Sequence, residues 1–209
     1  MMKINLEKML DIMEEEARRR NAPVFRFRAK DPFQSLVFAI LSTRTKDEVT
    51  SEKGKKLLSI ANSPKKLMSM SVAEIEEIIK GVGFYRTKAK NLKKVAEIVV
   101  RSYNSKVPER FEELVKLPGV GRKVANIVLS FYGIPAIAVD THVHRVANRI
   151  GIVKTKSVKD TERELKKIFP QRLWKRLNKV FVGFGQSVCK PVKPECENCR
   201  IRAICSYTP

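Results

Sequence analysis

No cysteine occurs in the first 188 of the 209 residues. A framework of scattered disulfides, the usual support of small secreted domains, is therefore excluded over most of the chain. Long apolar runs are missing as well. The longest stretch without a charged residue, Val124 to Val139, has 16 residues and is interrupted by Gly133 and Pro135. A membrane-spanning helix needs about 20 predominantly apolar residues, so a membrane is excluded as the partner. Acid is scarce: 22 Asp and Glu stand against 43 Lys and Arg, a formal net charge of +21. That excess goes beyond what solubility requires and points to a polyanion; a charged surface of the hot-growing kind would bring glutamate with it. Gly/Ser linkers, low-complexity segments and the alternating pattern of half-buried strands are also absent.

What is present is helical. Asp31-Pro32 caps an apolar segment with Phe33, Leu36, Val37, Ile40 and Leu41, and Ser63-Pro64 opens a short helix. Ser71 and Glu74 have capping-box spacing, and the helix they start carries Ile75, Ile78 and Ile79 and stops at Gly81. Ala89, Leu92, Val95, Ala96 and Val99 form a further stripe; Val143 to Ile150 form another, ended by Gly151, and a third runs from Asp160 to Phe169 before Pro170. The first twenty residues mix both signs of charge with Ile4, Leu6, Met9, Leu10 and Met13, the pattern of an amphipathic helix rather than a targeting peptide. With 43% hydrophobic content the chain can bury one large core or two small ones.

The most specific segment is LPGVGRKVANIVLSFYGIPAIAVDTHVHR, Leu117 to Arg145. Pro118-Gly119-Val120-Gly121 cannot continue a helix, so the apolar stretch Phe111 to Leu117 must end there and a second helix start at once. The first amides of that helix lack intrahelical partners and carry the positive end of its dipole, which suits them to a phosphate. Lys123 lies in that first turn. An ammonium at a helix N-terminus in a dry pocket is disfavoured, which favours the free amine that acts as a nucleophile. Asp140 follows the Gly133-Ile134-Pro135 break and the apolar Ala136 to Val139, where a carboxylate suits a helix cap, general-base work, or both.

All four cysteines are crowded near the end, Cys189, Cys196, Cys199 and Cys205, spaced C-x6-C-x2-C-x5-C. Such crowding specifies one four-thiolate metal site. By spacing alone, zinc and an iron-sulfur cluster are equally suited, although only one close C-x2-C pair is present where zinc ribbons usually show two. The loop between the first two ligands carries Lys190 and Lys193 between prolines, and it can offer both lysines to phosphates.

Taken in order, ILSTRTKD (Ile40 to Asp47), GVGFYRTKA, LPGVGRKVA, VDTHVHR and the cysteines make most of the chain resemble the helix-hairpin-helix, Gly-Pro-Asp superfamily of DNA glycosylases, and within it the endonuclease III family. The resemblance implies an all-α protein of two helical domains flanking a DNA-binding cleft. One is a six-helix barrel, 22–133, with the helix-hairpin-helix at about 108–132. The other comprises 1–21 plus 134–209 and carries a 4Fe-4S cluster at 189–205, the cysteine spacing being similar to the family's. Lys123 matches the Schiff-base lysine and Asp140 the catalytic aspartate, on opposite walls of the cleft. Arg44 and Phe84 match the side chains that fill the gap left by an extruded nucleotide, with Arg44 standing where many relatives have glutamine and Phe84 where many have leucine. Gly119, Gly121 and Arg122 would hold DNA backbone, and His142, in the family-like DTH sequence, would hold the aspartate or backbone.

The activity implied is that of a bifunctional DNA glycosylase and AP lyase of base excision repair, removing oxidised pyrimidines. It would act as a monomer on double-stranded DNA containing damaged bases or abasic sites, in the cytoplasm with the nucleoid. Two alternatives differ in class: a mismatch-specific monofunctional glycosylase, which usually has tyrosine at the Lys123 position, and a non-catalytic iron-sulfur DNA-binding redox sensor. The adenine-removing branch lacks this lysine, carries glutamate where this chain has Ala39, and has a further C-terminal domain, whereas this sequence closes four residues past Cys205.

Overall fold

The computed structural model describes residues 5–26 and 28–208. Ile4, which the sequence places on the first apolar stripe, lies outside them. Every regular element among the described residues is helical. The chain divides into two compact units, Arg28–Ile134 and the combination of Met1–Phe27 with Pro135–Pro209.

After α1 (Leu6–Arg19) of the other unit, the unit Arg28–Ile134 holds seven helices among the described residues: α2 (Pro32–Leu41), α3 (Asp47–Ile60), α4 (Pro64–Ser69), α5 (Val72–Ile79), α6 (Tyr85–Ser102), α7 (Phe111–Leu114) and α8 (Arg122–Phe131). Local chemistry sets most of their starts. The Asp31 carboxylate accepts from the Gln34 amide at 2.8 Å with Pro32 next to it, and Ser63 caps α4 in the same way. Both arms of the Ser71/Glu74 capping box form. The single turn α7 ends at Leu114, short of the proline, because the chain to Val120 continues in two tighter i to i+3 turns, Leu117 N to Leu114 O and Val120 N to Leu117 O. The core stripes bury Leu36, Ile40 and Leu41 of α2, Leu92, Val95 and Val99 of α6, and Val124, Ala125 and Val128 of α8.

The second unit contains α1 (Leu6–Arg19), α9 (Thr141–Ile150), α10 (Val158–Ile168) and α11 (Trp174–Ser187), with α1 and α9 both packed on α11. Its core gathers Met9, Leu10 and Met13 of α1, Val143, Val146 and Ile150 of α9, and Leu177, Val180, Phe181 and Phe184 of α11. Full burial of Phe181 alone contributes on the order of 2–3 kcal/mol. Helix α10 begins at Val158, two residues before the expected Asp160: Ser157 is the cap, its hydroxyl donating to Asp160 Oδ2 and accepting from the Asp160 amide. Glu16, 2% exposed, is held by Arg19, Arg20 and Arg200, which keep its carboxyl below the usual range. Arg20 also pairs with Glu195, so α1 is tied directly to the loop between the first two cysteines.

Candidate functional site

The hairpin turn is built on Gly119. Its φ of +78° lies in the left-handed region, and a Cβ there would stand 2.7 Å from Asn91 Nδ2. Gly121 is the N-cap of α8, with open space where a side chain would be and no side-chain cap on the helix. The helix start is thereby left accessible to an anion. Arg122 is exposed, with its guanidinium 4.9 Å from the Phe111 ring centroid, so it bridges the two arms of the hairpin.

Lys123 follows, partly buried. Its Nζ donates to Ser42 Oγ at 3.1 Å, and the Ser42 hydroxyl in turn donates to the Ala39 carbonyl at 2.9 Å. No carboxylate of its unit is ion-paired with it among the described residues. Beside it lies a group that the sequence reading passed over. Lys88 is 5% exposed, and its Nζ donates to Leu41 O at 2.8 Å, to Thr43 O and to Thr45 Oγ1 at 3.0 Å. Burial, and then the nearby Lys123 ammonium, push Lys88 down to about 8. The signal was present: Lys88 occupies the same face as Leu92, Val95 and Val99, so a lysine stands on an apolar stripe.

Arg44 and Phe84 come from different loops of this unit but stand together. Both have positive φ, 49° and 57°, and the Arg44 guanidinium lies 5.6 Å from the Phe84 ring centroid. Phe84 is 63% exposed, so it is no core aromatic.

In the other unit Asp140 is the N-cap of α9. Its Oδ1 accepts from the His142 and Val143 amides, each at 2.9 Å, and among the described residues no donor bonds Oδ2. His142 thus holds the aspartate by its backbone, while its ring Nδ1 lies 3.2 Å from Arg145 Nη2. His144 is part of a structural network with Thr161 and Asn148.

The four cysteines are free thiols, all partly buried, and they line one pocket with Ile150, Phe184, Val188 and Ile201. Burial pushes the Cys189 and Cys199 thiols up, with repulsion from neighbouring thiols adding to it. Arg149 Nη1 lies 3.7 Å from Cys189 Sγ, and Arg145 donates to the Cys189 carbonyl. Yet among the described residues no three His, Cys, Asp or Glu side chains converge as a single metal ion requires. Four soft thiolates around one pocket are a donor set that suits either tetrahedral zinc or an iron-sulfur cluster. Of the two loop lysines, Lys190 pairs with Glu195 at 2.7 Å, whereas Lys193 is exposed, has φ 50° and pairs with no carboxylate among the described residues.

A helix-hairpin-helix with a lysine at the start of its second helix defines a class of DNA-handling proteins. The pattern of the HhH-GPD superfamily of base excision DNA repair proteins matches residues 37–171, and the chain belongs to that superfamily. It is 45% identical to endonuclease III of Thermotoga maritima over 178 residues, 85% of this chain and 84% of that protein. It is also similar to two solved structures, a non-covalent endonuclease III–DNA complex and a trapped endonuclease III–DNA covalent intermediate. Each has a TM-score of 0.86 and 34% identity, covering 99% of this chain and 96% of theirs.

Proposed function

We propose that the chain is a bifunctional DNA glycosylase and AP lyase that removes oxidised pyrimidines from duplex DNA in base excision repair. The observation that carries this is Lys123: an amine at the open N-terminus of the hairpin helix, tethered to a serine hydroxyl and not neutralised by a carboxylate of its unit. The base is inaccessible inside the stack, so the nucleotide rotates out while Arg44 and Phe84 fill the gap. The hairpin amides, Arg122 and Lys193 hold phosphates on either side.

With the sugar exposed, Lys123 Nζ, once deprotonated, attacks C1′ and the bond to the base breaks. Asp140 presents Oδ2 to the positive charge that develops on the sugar and accepts the proton lost by the attacking amine. Ring opening gives a Schiff base, whose cationic nitrogen acidifies the C2′ proton; removal of that proton expels the 3′ phosphate and cuts the strand. Cys189, Cys196, Cys199 and Cys205 would hold a 4Fe-4S cluster, which would supply rigidity to the loop bearing Lys193. The enzyme acts as a monomer in the cytoplasm with the nucleoid; among the described residues no helix is long and apolar enough to cross a membrane.

Borohydride reduction in the presence of a duplex carrying an oxidised pyrimidine tests the assignment. The parent protein becomes covalently joined to DNA, and Lys123→Ala does not while keeping its melting temperature. Undiminished trapping in that variant moves the nucleophile elsewhere. Base release with no trapping in the parent identifies a monofunctional enzyme, and neither activity identifies a binding protein.

A further inference from the structure

Two loops of the unit Arg28–Ile134 meet at one buried ammonium. The first runs from Leu41 to Thr45 and carries Arg44; the second runs from Gly81 to Phe84. An ammonium has three N–H donors, and Lys88 finds an acceptor for each within the first loop: Leu41 O, Thr43 O and Thr45 Oγ1. Thr45 Oγ1 in turn accepts from the Gly83 amide at 3.1 Å, joining the second loop to the same knot. The fit is tight, since a Cβ on Gly83 would stand 2.3 Å from Arg44 O. The residues next to these bonds, Arg44 and Phe84, hold left-handed backbone that side chains disfavour, and Phe84 begins α6 with no side-chain cap. Neither conformation persists without surroundings that impose it. With Lys88 pushed down to about 8, all three protons are still mostly present at neutral pH.

We propose that Lys88 is a positioning residue for nucleotide extrusion, knotting the Leu41–Thr45 loop to the Gly81–Phe84 turn so that Arg44 and Phe84 stand as one preset wedge. It touches neither the sugar nor the base; resting on the glycosylase assignment above, it acts through the two side chains it fixes. A wedge already in place spares the ordering cost that two mobile loops would meet on entering the stack.

Lys88→Met keeps the side chain's length and removes all three donors. The tests are single-turnover base release from a fully paired duplex containing dihydrouracil, with 2-aminopurine beside it to report unstacking, and strand cleavage at an abasic site inside a bulge, where no stack has to be opened. The variant slows base release and unstacking by at least about tenfold but slows cleavage in the bulge by no more than about threefold. Hydrogen exchange accelerates at residues 41–45 and 81–84 and not across the remainder of the unit. Equal slowing on both substrates, in step with a fall in melting temperature, overturns the proposal in favour of a plain folding role; parent-like unstacking overturns it outright. A parent protein that releases no base defeats the glycosylase assignment instead, and unchanged exchange at both segments in Lys88→Met then defeats the knot by itself.

Discussion

Raising the pH should add to the stability that Lys88 contributes over a window in which most proteins begin to weaken. Burial and Lys123 lower this lysine from 10.5 to about 8, so between those values the unfolded chain holds a proton that the folded chain has released. Its contribution to stability therefore rises with pH there, by roughly 1.4 kcal/mol for each unit of difference, or about 3 kcal/mol across the window. Tyr132 works in the opposite sense. Burial, with Glu109 and Asp31 nearby, holds its phenol neutral up to about 12, so its contribution is present below the unfolded value near 10 and lost as pH climbs through 12. Subtracting a Lys88→Met variant cancels Tyr132 and isolates the lysine. Methionine also removes about 3 kcal/mol of burial cost at pH 7 while losing three hydrogen bonds, to Leu41 O, Thr43 O and Thr45 Oγ1, at about 1 kcal/mol each, so the two proteins start with similar stability. Urea unfolding followed by circular dichroism, stepped from pH 7 to 10.5, should show parent minus variant rising by about 3 kcal/mol, mostly above pH 8. A flat difference would refute the claim that this ammonium is buried at a cost.

Asp140→Asn retains an oxygen for the His142 and Val143 amides, so its melting temperature should match the parent while base release falls on the order of a hundredfold; a rate within about threefold removes Asp140 from the chemistry. Protein made with ample iron should be yellow-brown with about four irons, and Cys199→Ser should lose most of them; stoichiometric zinc instead would defeat the cluster assignment. Lys193→Glu should weaken binding to damaged and undamaged duplexes alike and lower the slope of log affinity against log salt by about 1; an unchanged slope would remove that lysine from the phosphate contacts.

Local signals were legible and distant pairings were not. Asp31-Pro32, Ser63-Pro64 and the Ser71/Glu74 box mark their helices because each cap is completed within four residues of sequence. Helix α10 starts two residues before Asp160 because Ser157 is the cap and Asp160 its third-position partner. Asp140 is legible as a cap from its place after the Gly133-Ile134-Pro135 break, and His142 holds it through the backbone amide. Lys88 could not be read as part of the site because its acceptors lie 43 to 47 residues away, and Ser42 meets Lys123 across 81. Lys190 and Lys193 look alike in sequence; Glu195, two residues beyond Lys193, pairs with Lys190 and makes them different.

The division of the chain also sets an order of birth. Arg28–Ile134 is one uninterrupted stretch, complete before α11 is made, whereas α1 precedes it and packs on α11, which begins at Trp174. At about 5–20 residues per second, α1 waits roughly 8 to 30 s with Met9, Leu10 and Met13 uncovered. The run Glu14-Glu15-Glu16 keeps the newborn helix charged through that delay, and the same three carboxylates later find Arg18, Arg176, Arg200, Arg19 and Arg20. Solubility during synthesis and the fastening of the finished unit are thus written in one tripeptide.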